Sequence, residues 1–183
     1  MNATPHRNLY QLIRGFKTAM LVTRARQEGM HARPLAVADV PEDGEILFAT
    51  SSRSPKVAEI AADPRVLVTF QGGSQCVCVS GSARVTRDRA LIERLWSESW
   101  RLWYPAGIDD PTLCILAITP TEGEYWDDSG SHGLKSLLHG AKAYLRGERL
   151  STDAAHDHAH INLQEPSARK AAGAPDAAAP RRG

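Results

Sequence analysis

A short segment, residues 50–56, combines hydroxyl side chains, two cations and the start of a helix. Ser54 suits the N-cap of that helix, and Pro55 suits its first position. Such a helix start offers unpaired backbone N–H groups and roughly half a positive charge. The combination is typical of a phosphate-binding site, whereas the alternative is an ordinary capped helix with solvated cations. The side chains that could bind the anion are those of Thr50, Ser51, Arg53, Ser54 and Lys56.

A second candidate for ligand binding is Arg33-Pro34-Leu35, in a strand-like run. Pro34 has no N–H to donate to a sheet, which confines this point to an edge or an opening. A backbone carbonyl or amide left free there could hydrogen-bond a planar heterocycle, and Arg33 could bind a phosphate with two parallel hydrogen bonds. The alternative is an edge strand that carries a surface arginine.

Two further patterns could bind a metal, but the simpler interpretation of each is structural. On a strand, His156, His158 and His160 would share one face, a spacing that suits a transition metal. Because no cysteine lies close to them in the sequence, we predict a solvent-facing histidine edge and no metal site. Cys76 and Cys78 also share a strand face, which usually reflects packing.

The elements that must position these residues form a mainly β pattern. An amphipathic helix is predicted over residues 9–16, another begins at Pro55, a third follows the cap residue Asp88, and a fourth covers residues 134–145. Gly81 lies inside a long strand, where it favours a bulge or a sharp bend. Strands joined by hairpins and bends indicate an antiparallel barrel with helices at its sides. The predicted strands cover residues 19–24, 32–40, 45–50, 65–71, 75–86, 113–119, 122–126 and 156–163.

The length of 183 residues favours a single domain, which we expect to span residues 1–164. Residues 165–183 are rich in Ala, Pro and Arg with almost no apolar bulk, and we predict that this tail is disordered. A net charge of +1 argues against nucleic acid as a partner. The apolar runs are too short to cross a membrane, and the first residues lack the apolar core of a secretory signal. With an odd cysteine count of 3, these features predict a cytoplasmic protein with reduced, buried thiols.

Taken in order along the chain, several segments resemble the flavin-binding split-barrel family of pyridoxamine 5'-phosphate oxidase-like proteins. Within that family the similarity is to the general stress protein branch. The resemblance covers about residues 8–163, and the ordered set of segments is more specific than any one of them. These segments are residues 20–24, 31–35, 48–50, 54–57, 79–83, 88–89, 95–96, 103–111 and 124–127.

The resemblance implies a fold and a set of ligand contacts. The expected fold is mainly β, a six-stranded antiparallel split β-barrel with flanking helices, which forms a homodimer and holds FMN in clefts at the subunit interface. FAD or a deazaflavin are alternatives to FMN. Arg33 and Lys56 are the implied phosphate cations, and the backbone of Arg33-Pro34-Leu35 and Thr50-Ser51 is expected along the isoalloxazine edge. Hydroxyl and backbone contacts are expected from Thr50 and Ser54, and aromatic cover is expected from the second subunit, with Trp103 and Trp126 as candidates.

Departures from the family pattern bear on the reaction. Where the true oxidases carry a glutamine on the long strand, this chain has Cys76, and Pro55 replaces the arginine before the phosphate lysine. A C-terminal arginine motif for a second phosphate is also missing, which argues against vitamin B6 oxidation. The leading interpretation is an FMN-dependent oxidoreductase of small molecules, with substrate, electron donor and catalytic residues unassigned. The alternatives are a non-catalytic protein that binds, stores or senses flavin under stress, and a true pyridoxamine 5'-phosphate oxidase.

Overall fold

The structure is a computed structural model, and it describes residues 5–25, 29–41, 44–127, 129 and 157–163. Within these residues, the helices are α1 (Pro5–Gly15), α2 (Pro55–Ala62) and α3 (Arg89–Leu95). Two short 3₁₀ turns, Glu98–Leu102 and Gly107–Asp109, follow α3. The strands are β1 (Thr18–Ala25), β2 (Gly29–Asp39), β3 (Ile46–Ser51), β4 (Arg65–Gly72), β5 (Gln75–Thr86), β6 (Leu113–Asp127) and β7 (Asp157–Asn162).

Six antiparallel strands close into a barrel. The sheet runs in the order β3-β2-β1-β4-β5-β6-β7, and an additional pairing between β3 and β6 closes the ring. β7 lies outside the ring and pairs only with β6 among the described strands. The predicted mainly β fold, a six-stranded antiparallel barrel with flanking helices, is therefore confirmed.

β6 differs from the prediction, which divided it into two strands around Pro120. The first half pairs with β3 and the second half with β7, so one continuous strand serves both the ring and its extension. At the change of partner the register with β5 shifts between Ser80 and Gly81, which leaves Thr121 unopposed. The Thr121 hydroxyl donates to the Ser80 carbonyl at 3.1 Å. This bulge accommodates Pro120 within the strand and confirms the irregularity predicted at Gly81.

Gly81 is required by close backbone approach at this bulge. A Cβ atom there would lie 2.5 Å from the carbonyl oxygen of Thr119 and 3.2 Å from the Cα of Pro120. We therefore expect Gly81→Ala to lower the free energy of unfolding by about 1–2 kcal/mol, measured by urea denaturation. Gly15→Ala is the matched control, because an added Cβ at Gly15 meets nothing within 4 Å. Equal denaturation midpoints for the two variants would contradict this account.

Two apolar clusters hold the elements together. The larger fills the barrel and includes Leu21, Phe48, Val68 and Phe70, with α1 packed on it through Leu9 and other residues. The smaller cluster lies on the outer face of β3 and β6, and it consists of Leu47, Ile92, Tyr104, Leu113, Ile115 and Ala117. Partly buried tryptophans, Trp96 and Trp100, pack against this second cluster. It therefore fixes the aromatic segment that follows α3 beside the end of β3.

Other predictions of local structure have mixed outcomes. α1 begins a turn earlier than the predicted residues 9–16, and β7 matches the predicted final strand to within a residue at each end. The helix predicted over residues 134–145 and the tail 165–183 lie outside the described residues. Within the described ranges, none of the helices combines the length and apolar character needed to span a membrane.

Candidate functional site

A cleft of ≈ 400 Å³ opens between β2, the end of β3, the start of α2 and the aromatic segment after α3. Its volume lies within the range of small-molecule sites, roughly 300–1,000 Å³. One end is polar and is formed by the β3–α2 connection, whereas the other end is aromatic. The residues that line it are Pro34, Leu35, Ala36, Ala49, Thr50, Ser51, Ser54, Lys56, Trp100, Trp103 and Tyr104.

Lys56 organises the polar end of the cleft. Its Nζ donates to Ser54 Oγ at 2.6 Å and to Thr50 Oγ1 at 3.1 Å, and Thr50 is only 3% exposed. Ser54 occupies the N-cap position of α2 with Pro55 at the start of the helix, as predicted, but its hydroxyl makes no capping bond. The hydroxyl instead accepts from the Lys56 ammonium, because a charge-assisted bond is stronger than a bond to a neutral backbone N–H.

The surroundings of Lys56 disfavour the charged form of its side chain. Burial lowers the pKa of Lys56, and the nearby Arg33 guanidinium lowers it further, while Glu59 acts in the opposite direction. An anion placed beside the ammonium would offset both effects. The polar end is therefore suited to a phosphate, carboxylate or sulfate group.

Behind the polar end lies a charged cluster centred on Glu59, which we call the Glu59 cluster. Glu59 on α2 accepts from Arg33 Nη2 at 2.5 Å and from the hydroxyl of Thr23, and the His31 Nδ1 lies 2.7 Å from Glu59 Oε1. Arg33 also donates to Thr23 through Nη1. Burial opposes the ionised form of Glu59, but these three hydrogen bonds outweigh it and lower the pKa of Glu59 to about 2.

The aromatic end presents two tryptophans and a tyrosine. Trp103 is 67% exposed at the rim, whereas Tyr104 is 7% exposed. Trp126 lies elsewhere, on β6, where its ring stacks on His158 with the centroids 5.1 Å apart. Within this chain Trp103 borders the cleft and Trp126 does not. Aromatic cover by these residues from a second subunit stays a prediction.

The structure brings together most of the predicted contact residues. Arg33, Arg53 and Trp126 are the exceptions, since none of them lines the cleft within this chain, and Arg33 is engaged by Glu59. A ligand contact by any of these residues stays a prediction. Those that line the cleft are Pro34, Leu35, Thr50, Ser51, Ser54, Lys56 and Trp103.

The sequence reasoning missed both the Glu59 cluster and Tyr104. The signal for the cluster was available, since Glu59 lies one helical turn after Lys56 and His31 shares a strand face with Arg33. Tyr104 lies inside a segment that carries the family resemblance, yet a tyrosine among tryptophans looks like core packing from sequence alone.

The histidine edge and the cysteines lie outside the cleft. His158 Nε2 contacts Glu124 Oε1 at 2.8 Å, whereas His156 falls outside the described residues. Across the described part of the chain, no group of three or more His, Cys, Asp or Glu side chains is arranged to hold a metal ion. The three cysteines are free thiols; Cys114 is buried, but Cys76 and Cys78 are half-buried rather than fully buried as predicted.

Comparison with known proteins gives a consistent result. The family model described as "Pyridoxamine 5'-phosphate oxidase like" matches residues 4–151. General stress protein 26 of Bacillus subtilis (strain 168) is 33% identical over 86 residues, which are 44% of this chain and 61% of that protein. The chain spans about three fifths of the length of the curated relatives it matches.

Solved structures share the fold. A putative general stress protein 26 from Jannaschia sp. CCS1 aligns with a TM-score of 0.65 and 23% identity, covering 84% of this chain and 95% of that chain. The general stress FMN/FAD binding protein from Xanthomonas citri aligns with a TM-score of 0.60 and 28% identity, covering 68% of this chain and 89% of that chain.

Proposed function

This chain belongs to the pyridoxamine 5'-phosphate oxidase-like family, and on that premise we propose that its cleft binds a flavin, with FMN as the first candidate and FAD or a deazaflavin as alternatives. The observation that carries the proposal is the polar end of the cleft. There Lys56 is half-buried and bonded to the hydroxyls of Thr50 and Ser54, and burial and Arg33 both oppose its charge, an effect that an added anion would offset. The phosphate of FMN has the charge and the acceptor oxygens for this position.

The remainder of the cleft suits the rest of the flavin. Pro34 and Leu35 on β2 and Ala49 on β3 contribute apolar surface to the lining, as do Trp100 and Trp103. A planar ring system would bury its faces against such surfaces. The relative from Xanthomonas citri is named as an FMN/FAD binding protein, which supports a flavin in the related cleft of this chain.

The proposed activity is that of a flavin-dependent oxidoreductase acting on small molecules. The bound flavin would supply the redox chemistry, and the residues of the chain would bind it, orient it and set the charge around it. Lys56 would hold the phosphate, and the Glu59 cluster would fix Arg33 close to it. No residue of the cleft is nominated as a general acid, base or nucleophile.

The proposal extends to assembly and location. We infer a homodimer, because Leu102 and Trp103 together expose large apolar side chains, 78% and 67%, at the cleft rim. Adjacent exposed apolar groups of this kind mark protein–protein interaction sites. A partner subunit on this rim would enclose the ligand further. The free thiols of Cys76, Cys78 and Cys114 support a cytoplasmic location.

Addition of FMN to the purified protein is expected to raise its melting temperature and to quench flavin fluorescence with saturation. The physical reason is that a ligand that binds the folded state alone stabilises it by mass action. Riboflavin should bind more weakly, since it lacks the phosphate. A melting temperature that does not respond to a large excess of FMN would refute flavin binding.

Reduction of the bound flavin by NAD(P)H separates the catalytic proposal from the alternative. Rapid bleaching of the flavin absorbance in stopped flow would support an oxidoreductase. A flavin that binds but is not reduced by NAD(P)H would favour a binding, storage or sensing protein. Formation of pyridoxal 5'-phosphate from pyridoxamine 5'-phosphate would instead revive the oxidase alternative.

A further inference from the structure

The hydroxyl of Tyr104 is a polar group at the aromatic end of the cleft that has no hydrogen-bond partner among the described residues. The side chain is 7% exposed, and the hydroxyl makes no hydrogen bond with any other described residue. Among the described residues, every fully buried side-chain nitrogen and oxygen has a partner. The Tyr104 oxygen must therefore reach open space, and the open space that this residue borders is the cleft.

The ring that carries this hydroxyl is firmly positioned. It packs with Leu47, Leu113 and Ile115 in the smaller apolar cluster on the outer face of β3 and β6. The backbone is held on both sides, since Tyr104 N donates to the Trp100 carbonyl at 2.9 Å and Gly107 N donates to the Tyr104 carbonyl at 2.8 Å. A ligand that bonds to this hydroxyl would lose little further side-chain entropy in the protein.

The hydroxyl also keeps its proton over a wide pH range. Burial raises the pKa of Tyr104 to about 12, with smaller contributions from Cys114 and Asp110. At neutral pH the group is thus a neutral O–H that can both donate and accept. A neutral donor suits a carbonyl or hydroxyl oxygen of a ligand, whereas a phosphate is better matched by the Lys56 ammonium.

We propose that Tyr104 is a ligand-binding residue whose hydroxyl hydrogen-bonds an uncharged oxygen of the bound flavin, so that the ligand is fixed by charge at Lys56 and by a neutral hydrogen bond at Tyr104. The inference rests on the proposed flavin function. It adds that the aromatic end of the cleft contributes directional recognition as well as apolar surface. A flavin analogue that lacks an acceptor or hydroxyl at that position would gain less binding free energy from this end of the cleft.

Tyr104→Phe tests the inference, because it removes the hydroxyl and leaves the packed ring in place. We expect the affinities for FMN and for riboflavin to fall by the same factor, about three- to tenfold, measured by fluorescence quenching. The melting temperature of the ligand-free protein should stay within about a degree of the wild type, since the removed hydroxyl bonds to none of the described residues. Tyr10→Phe is the matched control, as a buried tyrosine outside the cleft lining that donates to the Gly44 carbonyl at 3.2 Å.

The outcomes separate this inference from the proposed function. If the wild type binds no flavin, the proposed function fails and the inference fails with it. If the wild type binds FMN and Tyr104→Phe binds both flavins equally well, the inference alone is overturned. A loss of affinity confined to FMN would mean that the hydroxyl binds the phosphate. It would overturn the arrangement in which Lys56 binds the phosphate and Tyr104 binds an uncharged oxygen.

Discussion

Replacing Lys56 with alanine is expected to weaken FMN binding about ten- to hundredfold while leaving riboflavin binding nearly unchanged. The ammonium lies at the polar end of the cleft, and it donates to the hydroxyls of Thr50 and Ser54. Its removal would delete a charge-assisted contact to the phosphate and leave the ligand's ring contacts in place. Titration of both flavins into the same variant separates the two contributions, because only FMN carries the phosphate.

Two companion variants sharpen this test. Lys17→Ala removes an exposed lysine outside the cleft and should leave FMN affinity unchanged. Arg33→Ala should also weaken FMN binding, since it removes the guanidinium that pairs with the Glu59 carboxylate close to Lys56 and so lowers the positive potential there. Unchanged FMN affinity in both Lys56→Ala and Arg33→Ala would eliminate this end of the cleft as the phosphate site.

The pH dependence of FMN binding offers a further readout of the same residue. Burial and Arg33 lower the pKa of Lys56 in the free protein, so the ammonium is lost at a lower pH than in an ordinary lysine. FMN affinity should accordingly decline as the pH rises through that lowered value. In Lys56→Ala this alkaline decline should be absent.

Glu59→Gln is expected to lower the free energy of unfolding by about 2–3 kcal/mol at neutral pH. The carboxylate accepts from Thr23 and Arg33 and contacts His31, and its side chain is only 11% exposed, so solvent screens these interactions only in part. Urea denaturation of both proteins measures the difference. Glu93→Gln is the control, because its pair with Arg89 is about half exposed and should contribute little.

The effect of Glu59→Gln should depend on pH with a defined sign. The hydrogen bonds lower the pKa of Glu59 from 4.5 to about 2 in the folded protein. The stability that this gives is fully present above 4.5 and is lost as the pH falls toward 2. The difference in the free energy of unfolding between the wild type and Glu59→Gln should therefore become smaller as the pH falls. A difference that is equal at neutral pH and well below 4.5 would show that the charge of Glu59 is not its cause.

Local patterns predicted much of the fold, because they depend on neighbouring residues. Ser54-Pro55 marked the start of α2, and Gly81 marked the irregularity between β5 and β6. Pro120 misled the prediction, since the bulge that accommodates it depends on a partner strand that is distant in the sequence. The residue pattern indicated an antiparallel barrel, and the number of six strands followed from the family resemblance.

The candidate site was less predictable, because its properties arise from residues that meet only in the folded chain. Lys56 could be nominated from its own segment, and it does line the cleft. The helix and strand patterns placed Glu59 near Lys56 and His31 beside Arg33, but the bond between Arg33 and Glu59 also requires α2 to pack on β1, the strand next to β2. The surroundings of the Tyr104 hydroxyl are likewise set by the fold and not by the neighbouring sequence.

The pairing of β3 with β6 brings two distant segments of the chain together at the cleft. Thr50 at the floor of the cleft lies opposite Cys114, 64 positions later in the chain. Bringing together segments so far apart costs conformational entropy, because the intervening chain must lose its freedom. A ligand that binds the closed ring and not the unfolded chain offsets part of that cost by mass action. The cofactor that we propose would therefore stabilise the pairing of β3 with β6 as well as fill the cleft.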